Sequence, residues 1–67
     1  MIVRKHGQTW TFIIEQLIKD KDEVNPKELS LLIEGIHYQK VASILRSLGW
    51  IRYSDPVHND TVLYTRP

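Results

Sequence analysis

The chain has 67 residues, of which 42% are apolar and 25% are charged, and its formal net charge is +1. This length allows one small domain and leaves no room for a separate catalytic domain. The composition is that of a folded chain, and the absence of cysteine excludes disulfides and thiolate metal sites.

Charge is spread unevenly along the chain. Residues 1–14 carry two basic residues (+2), residues 15–34 carry six acids against three lysines (−3), and residues 35–67 carry four basic residues against two acids (+2). The C-terminal half therefore suits a surface that faces phosphates. Because phosphate neutralisation supplies most non-specific affinity, a monomer this close to neutrality should bind nucleic acid weakly.

Neither end of the chain nor its interior has the pattern of a targeting or membrane segment. No apolar run approaches the ~18–20 residues that a membrane-spanning helix needs. The N-terminus lacks the basic and then apolar layout of a signal peptide. We therefore expect a cytoplasmic protein with no membrane partner.

The first seven residues show no periodicity and are predicted to form a flexible arm. A first helix is predicted over residues 9–21, with Thr9 as its N-cap. Its inward positions follow the i, i+3, i+4, i+7, i+8 spacing of an amphipathic helix. These positions are Trp10, Ile13, Ile14, Leu17 and Ile18.

The sharpest local signal is Asn25-Pro26-Lys27-Glu28. Asn is a strong N-cap, Pro is tolerated at the first helical position, and Glu at the third position completes a capping box. A second helix is therefore predicted over residues 25–34. Gly35 ends it and opens the short connection typical of a helix-turn-helix.

A third helix is predicted over residues 37–48, and it contains no acidic residue. Its apolar stripe comprises Val41, Ile44, Leu45 and Leu48. Gly49 stands where a left-handed C-cap favours glycine. We expect Trp50 to pack back on this helix rather than to serve as a stacking platform for bases.

Residues 50–65 are predicted to form a β-hairpin. Its two strands, 50–54 and 61–65, are rich in aromatic and β-branched residues. The loop between them opens with Asp55-Pro56 and ends at Asn59-Asp60. The two acids flanking this tip would repel a phosphate, which weakens the hairpin as a candidate DNA contact.

Together these elements predict one α+β domain over residues 1–67, with three helices followed by a two-stranded hairpin. This is the minimal layout of a winged helix-turn-helix. The predicted third helix would then be the recognition helix, and the hairpin would be the wing.

The run Val41–Arg52, VASILRSLGWIR, resembles the end of winged-helix domains, where a leucine-rich recognition helix closes on Leu-Gly before the wing. It looks most like the C-terminal winged helix of phage- and plasmid-type primase–helicases, such as the virulence-associated E-like proteins. The resemblance spans Asn25–Tyr53 and implies DNA binding in the replication of a mobile element, although no motor is present here. It also implies that Val24 pairs with the hairpin.

Candidate DNA contacts lie on the polar face of the third helix. Arg pairs with guanine, Gln with adenine and Ser with either, and helix-turn-helix readers use mainly the N-terminal part of this helix. Basic residues outside that part would reach the phosphates. The full predicted set is His37, Gln39, Lys40, Ser43, Arg46 and Arg52, with His58 and Asn59 at the hairpin tip.

The resulting hypothesis is double-stranded DNA binding with the third helix in the major groove. The role would be replication initiation or transcription regulation in a mobile element or bacterial host, with a homodimer or a helicase–primase as partner. The alternative is a protein–protein interaction module of such an assembly, which near-neutral charge and the acidic hairpin favour. No nucleophile–base pair, phosphate loop or metal-ligand spacing appears, so we expect neither an enzyme nor a cofactor.

Overall fold

A computed structural model describes residues 2–58 and 61–67, His58 by its backbone alone. The described chain has three helices, a short 3₁₀ helix and a three-stranded antiparallel sheet, which confirms the predicted α+β class. In chain order the elements are α1 (Trp10–Ile18), β1 (Glu23–Val24), α2 (Pro26–Leu31), α3 (Tyr38–Ser47), β2 (Ile51–Asp55), the 3₁₀ helix (Pro56–His58) and β3 (Thr61–Thr65).

The sheet has the strand order β1-β3-β2, so the hairpin strand β3 lies in the middle. Val24 pairs with Tyr64, which confirms the pairing between the link and the hairpin. Tyr64 also pairs with Arg52 across the hairpin. Since directly paired residues lie on the same face, these three side chains share the face that meets the helices.

The core lies between that sheet face and the three helices. The most deeply buried side chains are Ile14 of α1, Val41 and Leu45 of α3, and Tyr64 of β3. Trp50 is also buried, as predicted. None of the buried polar side-chain atoms in the described residues lacks a hydrogen-bond partner. No helix in this part of the chain has the length and apolar character needed to cross a membrane.

The helix caps follow the local sequence. The Thr9 side chain accepts from the Phe12 N–H, and the Asn25 Oδ1 accepts from the Lys27 N–H at 2.9 Å. The predicted return bond from Glu28 is not among the hydrogen bonds of the described residues. The Asn25 side chain binds the second helical residue and not the third, so neither bond of the predicted capping box is present among the described residues, and α2 has a simple N-cap.

At the C-terminus of α3, Gly49 has a φ of +91°. Its N–H donates to the Arg46 carbonyl, and the Trp50 N–H donates to the Leu45 carbonyl, each at 3.0 Å. These two bonds are those of a Schellman motif. They turn the chain sharply out of the helix and into β2.

The helices are shorter than their predicted ranges. At the C-terminal ends of α1 and α2, residues distant in sequence bind the backbone groups that would have continued the helix. α1 stops at Ile18 instead of residue 21, where the Arg66 side chain binds the last carbonyl groups. α2 stops at Leu31 instead of residue 34, since residues 32–34 pair with the N-terminal arm. α3 is one residue shorter than predicted at each end.

The N-terminal arm is anchored at Ile2, which differs from the flexible arm expected over residues 1–7. The Ile2 N–H donates to the Leu32 carbonyl, and the Glu34 N–H donates to the Ile2 carbonyl, both at 2.7 Å. This parallel bridge places Ile2 beside Ile33, where its side chain is half-buried against the core. Apolar burial and two backbone bonds hold this end of the arm in place.

Candidate nucleic-acid interface

A groove of about 830 Å³ runs between the start of α2, the exposed flank of α3 and the hairpin. Its walls come from three separate parts of the chain. The lining residues that the structure describes are Asn25, Pro26, Lys27, Tyr38, Gln39, Ala42, Arg46, Arg52, Thr61, Val62 and Tyr64.

Helical spacing explains the α3 wall. At 100° per residue, Tyr38, Ala42 and Arg46 form one line of i, i+4, i+8 positions, with Gln39 beside it. This line borders the buried stripe, in which Val41 and Leu45 lie fully inside the core. Because the stripe packs in the core, the line of Tyr38, Ala42 and Arg46 faces the hairpin.

The hairpin wall is set by strand register. Arg52 lies directly opposite Tyr64, a residue that is 1% exposed and belongs to the core. Arg52 therefore projects from the helix-facing side of the sheet, near its exposed edge. This placement brings a hairpin cation to the same groove as the α3 side chains.

The described lining of the groove contains three cations and no carboxylate. The cations are Lys27 from α2, Arg46 from α3 and Arg52 from β2. The net charge of the whole chain is only +1, so this groove is much more basic than the average surface. Clustered cations in a concave site focus positive potential and favour an anionic partner.

Two of the groove cations have contacts within the chain. The Arg46 Nη1 donates to the Tyr64 hydroxyl at 3.4 Å, which orients the guanidinium. The Lys27 ammonium lies 5.2 Å from the centroid of the Tyr38 ring, within cation–π range. Both contacts are weak and leave most of the donor capacity of each cation unused.

Gln39 and Arg52 are exposed and make no side-chain hydrogen bond or ion pair with other described residues. The Gln39 amide offers both donors and an acceptor, and the Arg52 guanidinium offers five donors. A ligand that accepts hydrogen bonds can therefore use them without first breaking protein contacts.

Of the residues predicted to contact DNA, the groove brings together Gln39, Arg46 and Arg52. Lys40 and Ser43 are exposed on α3 outside the groove lining. A duplex that covered the exposed face of α3 would reach both.

His37 has a structural role that its sequence context did not predict. Its Nδ1 accepts the Gln39 N–H at 3.1 Å and so forms the N-cap of α3. Its ring also lies 4.4 Å from the Tyr38 ring, centroid to centroid. Because Nδ1 is occupied within the chain, only Nε2 remains for any partner.

The predicted contacts at the hairpin tip are not placed by the structure. The His58 backbone lies in the 3₁₀ helix, but its side chain lies outside the described part of the chain. Asn59 also lies outside the described residues.

Most of the groove lining is absent from the set predicted from the sequence, and Lys27 and Tyr38 are two of these residues. Lys27 follows the N-cap signal at Asn25 directly, but a lysine in a first helical turn gives no sign of which tertiary surface it joins. By helical spacing Tyr38 falls at the edge of the apolar stripe of α3, and it is half-buried. Both gain significance only through the packing of α2 against α3.

The opposite face of the sheet carries a different kind of contact. The Tyr53 hydroxyl donates to the Glu23 carboxylate across β3. This hydrogen bond raises the pKa of Tyr53 to about 12, since ionisation would place a phenolate beside a carboxylate. In the described chain, no group of three or more His, Cys, Asp or Glu side chains is placed to hold a metal ion.

Comparison of the chain with protein-family models, with curated proteins and with solved structures finds no match in any of the three. Its function is therefore inferred from its own residues and their arrangement.

Proposed function

We propose that this chain is a small winged helix-turn-helix domain that binds double-stranded DNA. In this proposal α2 and α3 form the helix-turn-helix, α3 enters the major groove, and the β2–β3 hairpin is the wing. The element order and the pairing of β1 with the hairpin support this arrangement, in which residues 32–37 connect α2 to α3.

The observation that carries the proposal is the basic groove. Lys27, Arg46 and Arg52 approach from three elements, with no carboxylate among the described lining residues. A phosphate backbone is the partner that such a groove suits best, because each neutralised phosphate releases condensed counterions. The path from α2 to the hairpin follows the edge of α3, where a backbone would lie if that helix were in the major groove.

Base contacts would come from the polar face of α3. Gln39 stands in its first turn, and the His37 cap fixes the backbone at that point. A glutamine in this position pairs bidentately with adenine, while Ser43 one turn later accepts or donates. Phosphate contacts would set the position of the domain and these side chains would set its sequence preference.

The biological role that follows is replication initiation or transcription regulation, with a modest affinity for each copy of the chain. Three phosphate contacts predict that the dissociation constant rises about 40-fold between ~50 and ~200 mM salt. Losing one contact should lower that rise to about 12-fold. These values give the proposal a quantitative test.

The test is a fluorescence anisotropy titration of a labelled random duplex at both salt concentrations. Arg52→Gln and Lys27→Gln each remove one groove cation and should weaken binding and flatten the salt dependence. Lys19→Gln removes the same charge from the surface after α1, outside the groove, and should behave like the unmodified chain.

Failure to bind at ~50 mM salt would refute the proposal, since non-specific affinity is greatest at low ionic strength. Equal losses in Lys19→Gln and Arg52→Gln would refute the groove as the binding surface. Binding to a protein partner with no DNA affinity would instead support the protein-interaction alternative.

A further inference from the structure

Tyr64 belongs both to the core and to the wall of the groove. The residue is 1% exposed and stands in β3, the central strand of the sheet. It also lines the groove, where its hydroxyl accepts a hydrogen bond from the Arg46 Nη1 at 3.4 Å. Arg52 lies directly opposite it in the strand register. Tyr64 therefore borders two of the three groove cations, one from α3 and one from β2.

The Tyr64 hydroxyl has one hydrogen-bond partner among the described residues, and that partner is Arg46. Burial of a hydroxyl is unfavourable unless a hydrogen bond replaces those lost to water. A phenylalanine would place the same ring in the core without this cost. What the hydroxyl adds beyond the ring is therefore its contact with Arg46.

Arg46 is restrained at both its backbone and its guanidinium. It stands in the last turn of α3, where its carbonyl accepts the Gly49 N–H at 3.0 Å. Its Nη1 contacts the Tyr64 hydroxyl, and its remaining N–H donors make no hydrogen bond with described residues. The Arg52 side chain has no such contact within the described chain. Of these two guanidinium groups, only that of Arg46 is oriented before a partner binds.

Orientation in the free chain reduces the entropy that is lost on binding. Immobilising one flexible side chain at an interface weakens binding by about 2- to 13-fold. Because the Tyr64 ring is fixed in the core, its hydroxyl already restricts Arg46 before DNA arrives. We infer that Tyr64 is a positioning residue for DNA binding, which orients the Arg46 guanidinium in the groove for contact with a phosphate.

This inference rests on the proposed DNA binding, and it is tested by a double-mutant cycle between Tyr64→Phe and Arg46→Gln. The dissociation constant of a labelled random duplex is measured by fluorescence anisotropy at low salt. Tyr64→Phe keeps the ring and should raise this constant about threefold, near the low end of the range because the hydrogen bond is long. The double variant should bind like Arg46→Gln alone, because Tyr64 acts only through Arg46.

The salt dependence separates positioning from charge. Tyr64→Phe retains all three groove cations, so its dissociation constant should still rise about 40-fold between ~50 and ~200 mM salt. Arg46→Gln removes a phosphate contact and should lower that rise to about 12-fold. A Tyr64→Phe variant with the flattened dependence of Arg46→Gln would contradict a role limited to orientation.

NMR relaxation of the arginine Nε–H groups tests the orientation without DNA, and its first comparison needs no variant. In the unmodified chain, the Arg46 Nε–H should be more restricted than the Arg52 Nε–H. In Tyr64→Phe the two groups should be equally mobile. An Arg46 side chain that is already as mobile as Arg52 in the unmodified chain would overturn the inference.

Tyr53→Phe is the matched control. It also removes a hydroxyl that makes one side-chain hydrogen bond, with Glu23, but on the opposite face of the sheet. It should bind DNA like the unmodified chain, and circular dichroism should show that every variant is folded at the assay temperature.

The remaining outcomes separate this inference from the proposed function. An unmodified chain that does not bind DNA refutes the proposed function, and the inference with it. Binding that Arg46→Gln weakens and Tyr64→Phe leaves unchanged refutes the positioning role alone. So does a Tyr64→Phe loss that is equally large in the Arg46→Gln variant, since the hydroxyl would then act without Arg46.

Discussion

Removal of the Arg66 side chain should destabilise the fold more than removal of any other exposed cation. The Arg66 Nη2 donates to the carbonyls of Ile18, Lys19 and Lys21 at 2.8, 3.2 and 2.5 Å. These carbonyls lie at the end of α1 and in the turn that follows it, and that of Ile18 also accepts the Lys21 N–H at 3.0 Å. The Arg66 guanidinium also lies 4.9 Å from the centroid of the Trp50 ring.

The size of the effect follows from these contacts. A hydrogen bond to a charged group contributes about 1.5–3 kcal/mol, but Nη2 carries only two hydrogens for three carbonyls. The Arg66 side chain is 43% exposed, and its ion pair is with Asp22, which is 98% exposed and adds little. The cation–π contact adds about 0.5–1 kcal/mol, so Arg66→Ala should lower the free energy of unfolding by about 2–3 kcal/mol.

The assay is thermal unfolding followed by circular dichroism. For a domain of this size, the loss corresponds to a fall in Tm of roughly 10–20 °C. Arg66→Lys should recover only part of it, because one ammonium cannot reproduce the planar fork. The matched control is Arg52→Ala, an exposed arginine without internal partners, which should stay within about 0.5 kcal/mol of the unmodified chain. An Arg66→Ala variant that is equally close to the unmodified chain would refute this role.

Three further changes test the local structure around the groove and sheet. His37→Ala should lower the free energy of unfolding by about 1 kcal/mol in urea, whereas His37→Asn keeps a cap acceptor; equal losses would contradict the capping role. Gly49→Ala should cost about 1–2 kcal/mol through its φ of +91° alone, since the added Cβ would meet only Pro67 Cγ at 3.9 Å; unchanged stability would refute the C-cap. Because the pKa of Tyr53 is raised from 10.0 to about 12, its contribution to stability is present below pH 10 and lost as the pH rises toward 12. Tyrosinate absorbance should show this late titration, and Glu23→Gln should move it to lower pH; an unchanged curve would count against the hydrogen bond.

The elements that the sequence predicts best are those fixed by neighbouring residues. The Asn25 cap, the Gly49 turn and the apolar stripe of α3 depend on residues a few positions apart in sequence, so the sequence pattern predicts them. The helix ends at residues 18 and 31 are not, because they depend on Arg66 and Ile2, which are distant in sequence. Local signals define where a helix starts more reliably than which tertiary contact ends it.

The groove also combines residues that the sequence predicts with residues that only the tertiary structure places there. Gln39 and Arg46 are predictable from helical spacing, since both fall outside the buried stripe. Lys27 is not, because its place beside Arg52 depends on how α2 packs on α3 and on the register of the hairpin. The structural role of His37 was equally hidden, since the same residue type suits a cap and a polar reading face.

The low charge of the chain limits the affinity that the proposed DNA contact can reach. The groove lining that the structure describes holds three cations, and each is expected to neutralise about one phosphate.

An amide NMR titration with a random DNA duplex at low salt would show directly whether the groove contacts DNA. We expect chemical-shift changes that centre on Lys27, Gln39, Arg46 and Arg52, and that shrink as salt is added. Tyr53, on the opposite sheet face, should not change. Absence of any shift at low salt, or shifts that spare the groove and concentrate elsewhere, would contradict the assignment of this surface to DNA.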